Sequence, residues 1–150
     1  MATPIPKNQA AFRREELLAA TGGTLRGPSF DEVVGIVTDS RSIERGNLFV
    51  ALRGENFDAH RFAEKAFDDG AAAVLVATGT TLPDHVSAIE VEDTLVALGD
   101  LAHAHRNRWG GQLVGITGSV GKTTTKNLTA AALRAAGRRI GGFGEPGGDG

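Results

Sequence analysis

Apolar residues along this chain alternate between unbroken β-branched runs and stretches spaced three to four residues apart, the two patterns of strands and helices. Ala11, Phe12, Leu17, Leu18 and Ala20 predict a short helix over residues 11–21, closed by Gly22-Gly23. Val33–Thr38 and Asn47–Leu52 read as strands. Phe62, Ala63, Ala66 and Phe67 share one helical face, and Gly70 ends that helix before a buried strand at Ala71–Ala77. Ser87–Val91 is a further strand. A long helix then starts at an Asp93 cap, with Leu95, Leu98, Ala102 and Trp109 as its inward stripe, and stops at Gly110-Gly111. Leu113–Thr117 predicts another strand. Lys122–Ala136 predicts a helix with Leu128, Ala132 and Ala135 facing inward.

This alternation points to the α/β class with mostly parallel pairing and no internal repeat. The glycine pair after the long helix marks the expected boundary, so residues 1–111 form a small N-terminal α/β domain. Residues 112–140 then begin a second domain with one strand, one loop and one helix. Residues 141–150, GGFGEPGGDG, hold six of the chain's 21 glycines and almost nothing apolar, and are expected to be disordered.

Composition narrows the class. The chain has 150 residues, a formal net charge of −2 and no cysteine. Disulfides, thiolate nucleophiles and cysteine-held metals are therefore excluded. The charge balance gives no bulk attraction for nucleic acid or an anionic membrane. No stretch approaches the roughly 20 apolar residues that span a bilayer, and the first ten residues lack a secretory core. A cytoplasmic protein, monomeric and without membrane insertion or nucleic acid, is the expectation.

The chemistry concentrates at Leu113–Leu128, LVGITGSVGKTTTKNL. An apolar strand, a glycine loop and a helix succeed one another there, which is the context a phosphate-binding loop needs. Glycine lets backbone amides converge on an anion, and the helix start adds its free amides and positive dipole end. Gly118, Ser119, Val120, Gly121, Lys122, Thr123 and Thr124 are the candidate ATP contacts. Lys122 is the candidate catalytic cation on the β- and γ-phosphates, and Thr123 the candidate Mg²⁺ ligand. The strict G-x-x-x-x-G-K-[ST] spacing fails, because Ile116 stands where its first glycine belongs. The histidines show no metal-ligand spacing; His103 and His105 fall on different helix faces, and His85 sits in a loop.

The loop GITGSVGKTTTKNL resembles the ATP loop of the Mur ligases, which use TGSxGKTTTK. Thr38-Asp39-Ser40-Arg41, the run Gly46–Leu52, the loop Gly54–His60 and Asp69-Gly70-Ala71 resemble the same family's N-terminal signature, in order. The likeness covers roughly Val34 to Ala136. It implies the first part of a three-domain, ATP- and Mg²⁺-dependent ligase of peptidoglycan precursor synthesis, acting through an acyl phosphate. It is greatest toward members that add D-alanyl-D-alanine to UDP-N-acetylmuramoyl-tripeptide, and next toward those that add diaminopimelate or lysine. Asp39, Ser40, Arg41, Asn56 and His60 are then the candidate UDP-substrate contacts. An Asp–Arg polar turn accounts for the first three equally simply, and a capping role for His60. Ala59 replaces the family's glycine, which would cost strain if that position needed positive φ.

After Gly137 the resemblance ends, so a fragment or a truncated or frame-shifted ligase, inactive by itself, is expected. Two rival classes remain: an unrelated phosphate-loop ATPase or kinase, and a non-catalytic UDP-sugar-binding module.

Overall fold

The computed structural model describes residues 8–55 and 57–138. Lys7–Gly110 form one compact unit, and the chain from Gly111 onward belongs to another.

In the first unit, β1 (Ala11–Arg13) leads directly into α1 (Arg14–Thr21). The predicted helix over 11–21 therefore begins three residues late. Ala11–Arg13 pair antiparallel with β3 (Glu32–Val34), and the Arg13 N–H is taken by the Glu16 carboxylate at 2.9 Å. Gly22, at φ 64°, ends α1 by donating its N–H to the Leu18 carbonyl. β2 (Thr24–Arg26) follows, and β4 (Ile36–Val37) comes directly after β3. Next are β5 (Leu48–Val50), α2 (Ala63–Asp68), β6 (Ala73–Ala77), β7 (Ala88–Val91) and α3 (Thr94–Trp109).

Five strands form one sheet in the order β2-β7-β6-β5-β4. β4 to β7 run parallel, and β2 closes the edge antiparallel to β7. The α/β class and mostly parallel pairing follow the sequence pattern. Both faces are covered, which is why β5 and β6 read as continuous apolar runs. Leu48, Val50 and Leu75 face a core with Phe12, Leu17, Ile89, Ala97 and Leu101, drawn from β1, α1, β7 and α3. Phe49, Val74 and Val76 face the opposite core, with Ala63 and Ala66 of α2. Period-two alternation thus sends neighbouring residues to two different cores.

The predicted strand Val33–Thr38 is two strands. Gly35 sits between them at φ 83°, and a β-carbon built there would lie 2.6 Å from the Asn8 carbonyl oxygen and 2.8 Å from Asn47 Nδ2. That amide nitrogen is fixed, donating to the Val34 carbonyl at 2.7 Å. Gly35→Ala combines a left-handed backbone with a double clash, so we expect it to destabilise the unit by about 1–3 kcal/mol. Urea unfolding checks this, and a loss below about 0.5 kcal/mol, the scatter of an ordinary surface change, would contradict it.

α3 begins as expected: the Asp93 carboxylate accepts from Leu95 N–H at 2.8 Å and Val96 N–H at 3.1 Å. Gly110, at φ 63°, ends it. Of the predicted inward stripe only Leu98 packs against the core, and Ala102 is exposed. Thr94, Ala97 and Leu101 are buried, whereas Leu95 is 66% and Trp109 58% exposed. The buried stripe keeps the same period but is rotated by one position.

In the second unit, Leu113–Thr117 is not a strand; its backbone is irregular up to the glycine loop. A strand exists only by pairing, and none of the described residues pairs with it. α4 (Lys122–Ala135) forms as predicted, but no residue of it is buried, and Leu128 is 67% exposed. Leu128, Ala132 and Ala135 accordingly do not face inward. The tail 141–150 lies outside the described residues.

Candidate functional site

The first unit places its candidate residues at the carboxyl ends of parallel strands, where open α/β sheets commonly receive ligands. The chain leaving β4 supplies Thr38, Asp39, Ser40 and Arg41, and the chain leaving β5 supplies Phe57, Ala59 and Phe62. With Phe49 of β5 these line a cavity of about 560 Å³. Such a volume is within the range that takes a small-molecule ligand. Asn56, the remaining candidate in this loop, lies outside the described residues.

Asp39 starts a 3₁₀ turn over Ser40–Ser42, accepting from the Arg41 N–H at 3.0 Å. The Arg41 guanidinium doubles back onto the same carboxylate, with Nε at 2.9 Å and Nη2 at 2.7 Å. The triplet is thus the locally paired polar turn that the sequence also allowed. The Arg41 side chain is nonetheless 88% exposed on the cavity wall. The Arg41 guanidinium lowers the Asp39 pKa from 3.8 to about 2.

His60, a candidate ligand contact or cap from the sequence, is held within the fold. Its side chain is 9% exposed, Nδ1 lies 2.6 Å from the Asp58 carboxylate, and Nε2 accepts the Ala77 N–H at 3.0 Å. Both ring nitrogens are engaged within the fold. Ala59 is buried in the 3₁₀ turn Ala59–Phe62, and every described residue with positive φ is a glycine. Alanine in place of the family's glycine therefore brings no strain.

Three residues escaped sequence reasoning. Phe57 and Phe62 stack with centroids 5.8 Å apart, and the Arg61 guanidinium lies over both rings, at 5.2 and 4.7 Å. Phe57 is 51% exposed. The F-x-x-x-R-F spacing could have signalled this pair. Glu64, Asp68 and His85, remote in sequence, also meet at the surface with ligand atoms within 4.8 Å of one another. The sequence shows no metal-ligand spacing for His85, because this grouping is made in space rather than along the chain.

Asp58 ties the loop together. It accepts from the His60 N–H at 3.0 Å, then from the His60 ring, and pairs with Arg53 at 2.9 Å, and these bonds hold its pKa at about 2 against an ordinary 3.8. A pKa lower in the folded state stabilises the fold above the unfolded value, and the contribution disappears as pH falls through the folded one. We therefore expect the thermal midpoint to fall between pH 3.8 and about 2, and to fall less in Asp58→Asn. Parallel pH profiles for the two proteins would contradict the assignment.

The glycine loop of the second unit has the conformation its residues suggest. Gly118 and Gly121 have φ of 152° and 79°, and Gly121 caps α4. The Lys122 ammonium donates back to the Gly118 carbonyl. The amides of the first turn of α4 precede any possible i−4 partner, leaving them available to an anion.

Comparison with known proteins gives the class. The Mur ligase family, catalytic domain, matches residues 32–106. The chain belongs to the Mur ligase family. It is 45% identical over 114 residues to the UDP-N-acetylmuramoyl-tripeptide–D-alanyl-D-alanine ligase of Bacillus subtilis, covering 74% of this chain and 25% of that protein. Among solved structures it resembles MurF of Acinetobacter baumannii, with a TM-score of 0.74 and 32% identity over 85% of this chain and 28% of that one. MurF of Thermotoga maritima, solved with ADP, is similar at a TM-score of 0.54 and 36% identity, over 67% and 23% of the two chains. The chain thus spans about a quarter of the length of these relatives. The family match ends before the glycine loop.

No helix among the described residues is long and apolar enough to cross a membrane.

Proposed function

We propose that this chain contributes the UDP-substrate site and the ATP loop of a ligase that joins D-alanyl-D-alanine to UDP-N-acetylmuramoyl-tripeptide in the cytoplasm. The observation that carries the reading is the cavity at the carboxyl ends of β4 and β5, which gathers Asp39, Ser40 and Arg41 from a sequence signature shared with such ligases. Residues 1–111 then act as the UDP-substrate domain, and 112–140 begin the ATP domain.

Arg41 suits a diphosphate, because its planar fork makes paired, charge-assisted hydrogen bonds. It would exchange the exposed Asp39 pair for the ligand at little cost. Phe57 and Phe62 offer flat apolar surface beside it. At the glycine loop, residues Gly118–Thr124 would surround the ATP phosphates, with Lys122 leaving the Gly118 carbonyl for phosphate oxygens. Thr123, exposed in the first turn of α4, presents a hydroxyl of the kind Mg²⁺ accepts beside phosphate and water. Magnesium supplies charge neutralisation on the transferring phosphoryl group. The tripeptide carboxylate would take the γ-phosphoryl group of ATP, releasing ADP, and the dipeptide amine would then attack the acyl phosphate, losing a proton and expelling phosphate.

The test is the reaction. In a chain extended to the relatives' length, phosphate release should require both UDP-N-acetylmuramoyl-tripeptide and D-alanyl-D-alanine. Release that ignores the dipeptide, or that a diaminopimelate-type amino acid supports better, would defeat the assignment.

A further inference from the structure

β6 extends beyond its neighbour β5. Their last paired residues are Val50 and Leu75, while on the other side β6 remains paired as far as Ala77 with Val91. Val74 and Thr78 donate their amides to Ser87 and Val91 on the β7 side. Amides alternate along a strand, so Ala77 turns its N–H to the opposite edge, where β5 has already ended. A half-buried amide left there without an acceptor would still carry a cost. His60 Nε2 takes it, at 3.0 Å.

A backbone N–H only donates, so Nε2 carries no proton and the neutral ring is protonated at Nδ1. Nδ1 then donates to the Asp58 carboxylate, 2.6 Å away, and Asp58 in turn holds the His60 backbone N–H and Arg53. The chain Asp58–His60–Ala77 thus fastens the turn Ala59–Phe62 to the sheet. Phe57, Ala59 and Phe62, which form one wall of the cavity, flank or belong to this turn.

We propose that His60 is a positioning residue for the UDP-linked substrate: as a neutral Nδ1–H imidazole it pins the aromatic wall of the cavity to the overhanging end of β6, without touching the ligand. The proposal rests on the reading of the cavity as the UDP-substrate site. What the position requires is an acceptor aimed at the Ala77 amide. Glutamine can offer its carbonyl oxygen there, and alanine offers nothing.

Nitrogen-15 NMR of the 150-residue chain should show His60 protonated at Nδ1 and bare at Nε2; the opposite tautomer would overturn the proposal. UDP-N-acetylmuramoyl-tripeptide is then titrated into wild type, His60→Ala and His60→Gln, at a temperature where circular dichroism shows each folded. We expect about tenfold weaker binding in His60→Ala and binding within about threefold of wild type in His60→Gln. Unchanged affinity in a folded His60→Ala, or loss of binding in a folded His60→Gln, would overturn the positioning role while the cavity keeps its ligand. If wild type itself fails to bind, the UDP-substrate reading falls, and this inference with it.

Discussion

Lys122→Ala, made in a chain extended to the relatives' length, should reduce ATP turnover by about 100-fold or more while leaving affinity for the UDP-linked substrate within about threefold. The magnitude follows from what removal of one preorganised charge-stabilising group costs at a transition state. In phosphoryl transfer the protein contributes mostly positioning and electrostatics, so a missing cation is poorly compensated. Lys122 stands at the first position of α4, immediately after the Gly121 cap, with its ammonium turned over the loop onto the Gly118 carbonyl. Arg41 and the cavity belong to the first unit, which is why the two ligands should separate in this variant. Phosphate release and an independent substrate titration decide the matter. Turnover near wild type would remove Lys122 from the ATP site.

Arg41→Ala should have the opposite signature: roughly 10- to 150-fold weaker UDP-substrate binding with ATP affinity unchanged. That range is the worth of a charge-assisted hydrogen bond to a ligand phosphate. The fold should tolerate the change, because the Arg41 side chain is 88% exposed and its ion pair with Asp39 is a surface one. Calorimetry with the UDP ligand reads the effect directly. A change under about threefold, less than one such hydrogen bond is worth, would leave Asp39-Ser40-Arg41 as a turn and nothing more.

The limits of sequence reasoning here have physical causes. β5 and β6 were legible because strands covered on both faces must be apolar throughout, and LFV and AVLVA can hardly be read otherwise. Asp93 was legible because a short carboxylate before an apolar period is a helix start. β2 left no such mark: Thr24–Arg26 is a three-residue edge strand with only Leu25 even half-buried, so no periodicity could develop. In α3 the period was right and the phase wrong, since Leu95 and Trp109 outweigh Ala97 in hydrophobicity but not in burial.

Within the site, Asp39, Ser40 and Arg41 were legible as a cluster because they are adjacent in sequence. Their neighbours were not. Phe57 and Phe62 come from a loop that reaches the cavity only after the chain has passed through β5. His60 was recognisable as a residue of interest, but its role depends on Ala77, 17 positions on, and on the length of β5 relative to β6. No local pattern encodes a strand overhang. The same holds for His85, which joins Glu64 and Asp68 only through the packing of a loop against α2.

Amide chemical shifts test most directly whether the cavity at the ends of β4 and β5 receives the UDP-linked substrate. Titrating UDP-N-acetylmuramoyl-tripeptide into the isotopically labelled 150-residue chain should give saturable shifts concentrated at Thr38–Arg41 and at Phe57–Phe62. Gly118–Thr124 should remain still until ATP is added. Shifts confined to the glycine loop, or scattered over the surface without saturation, would contradict the account.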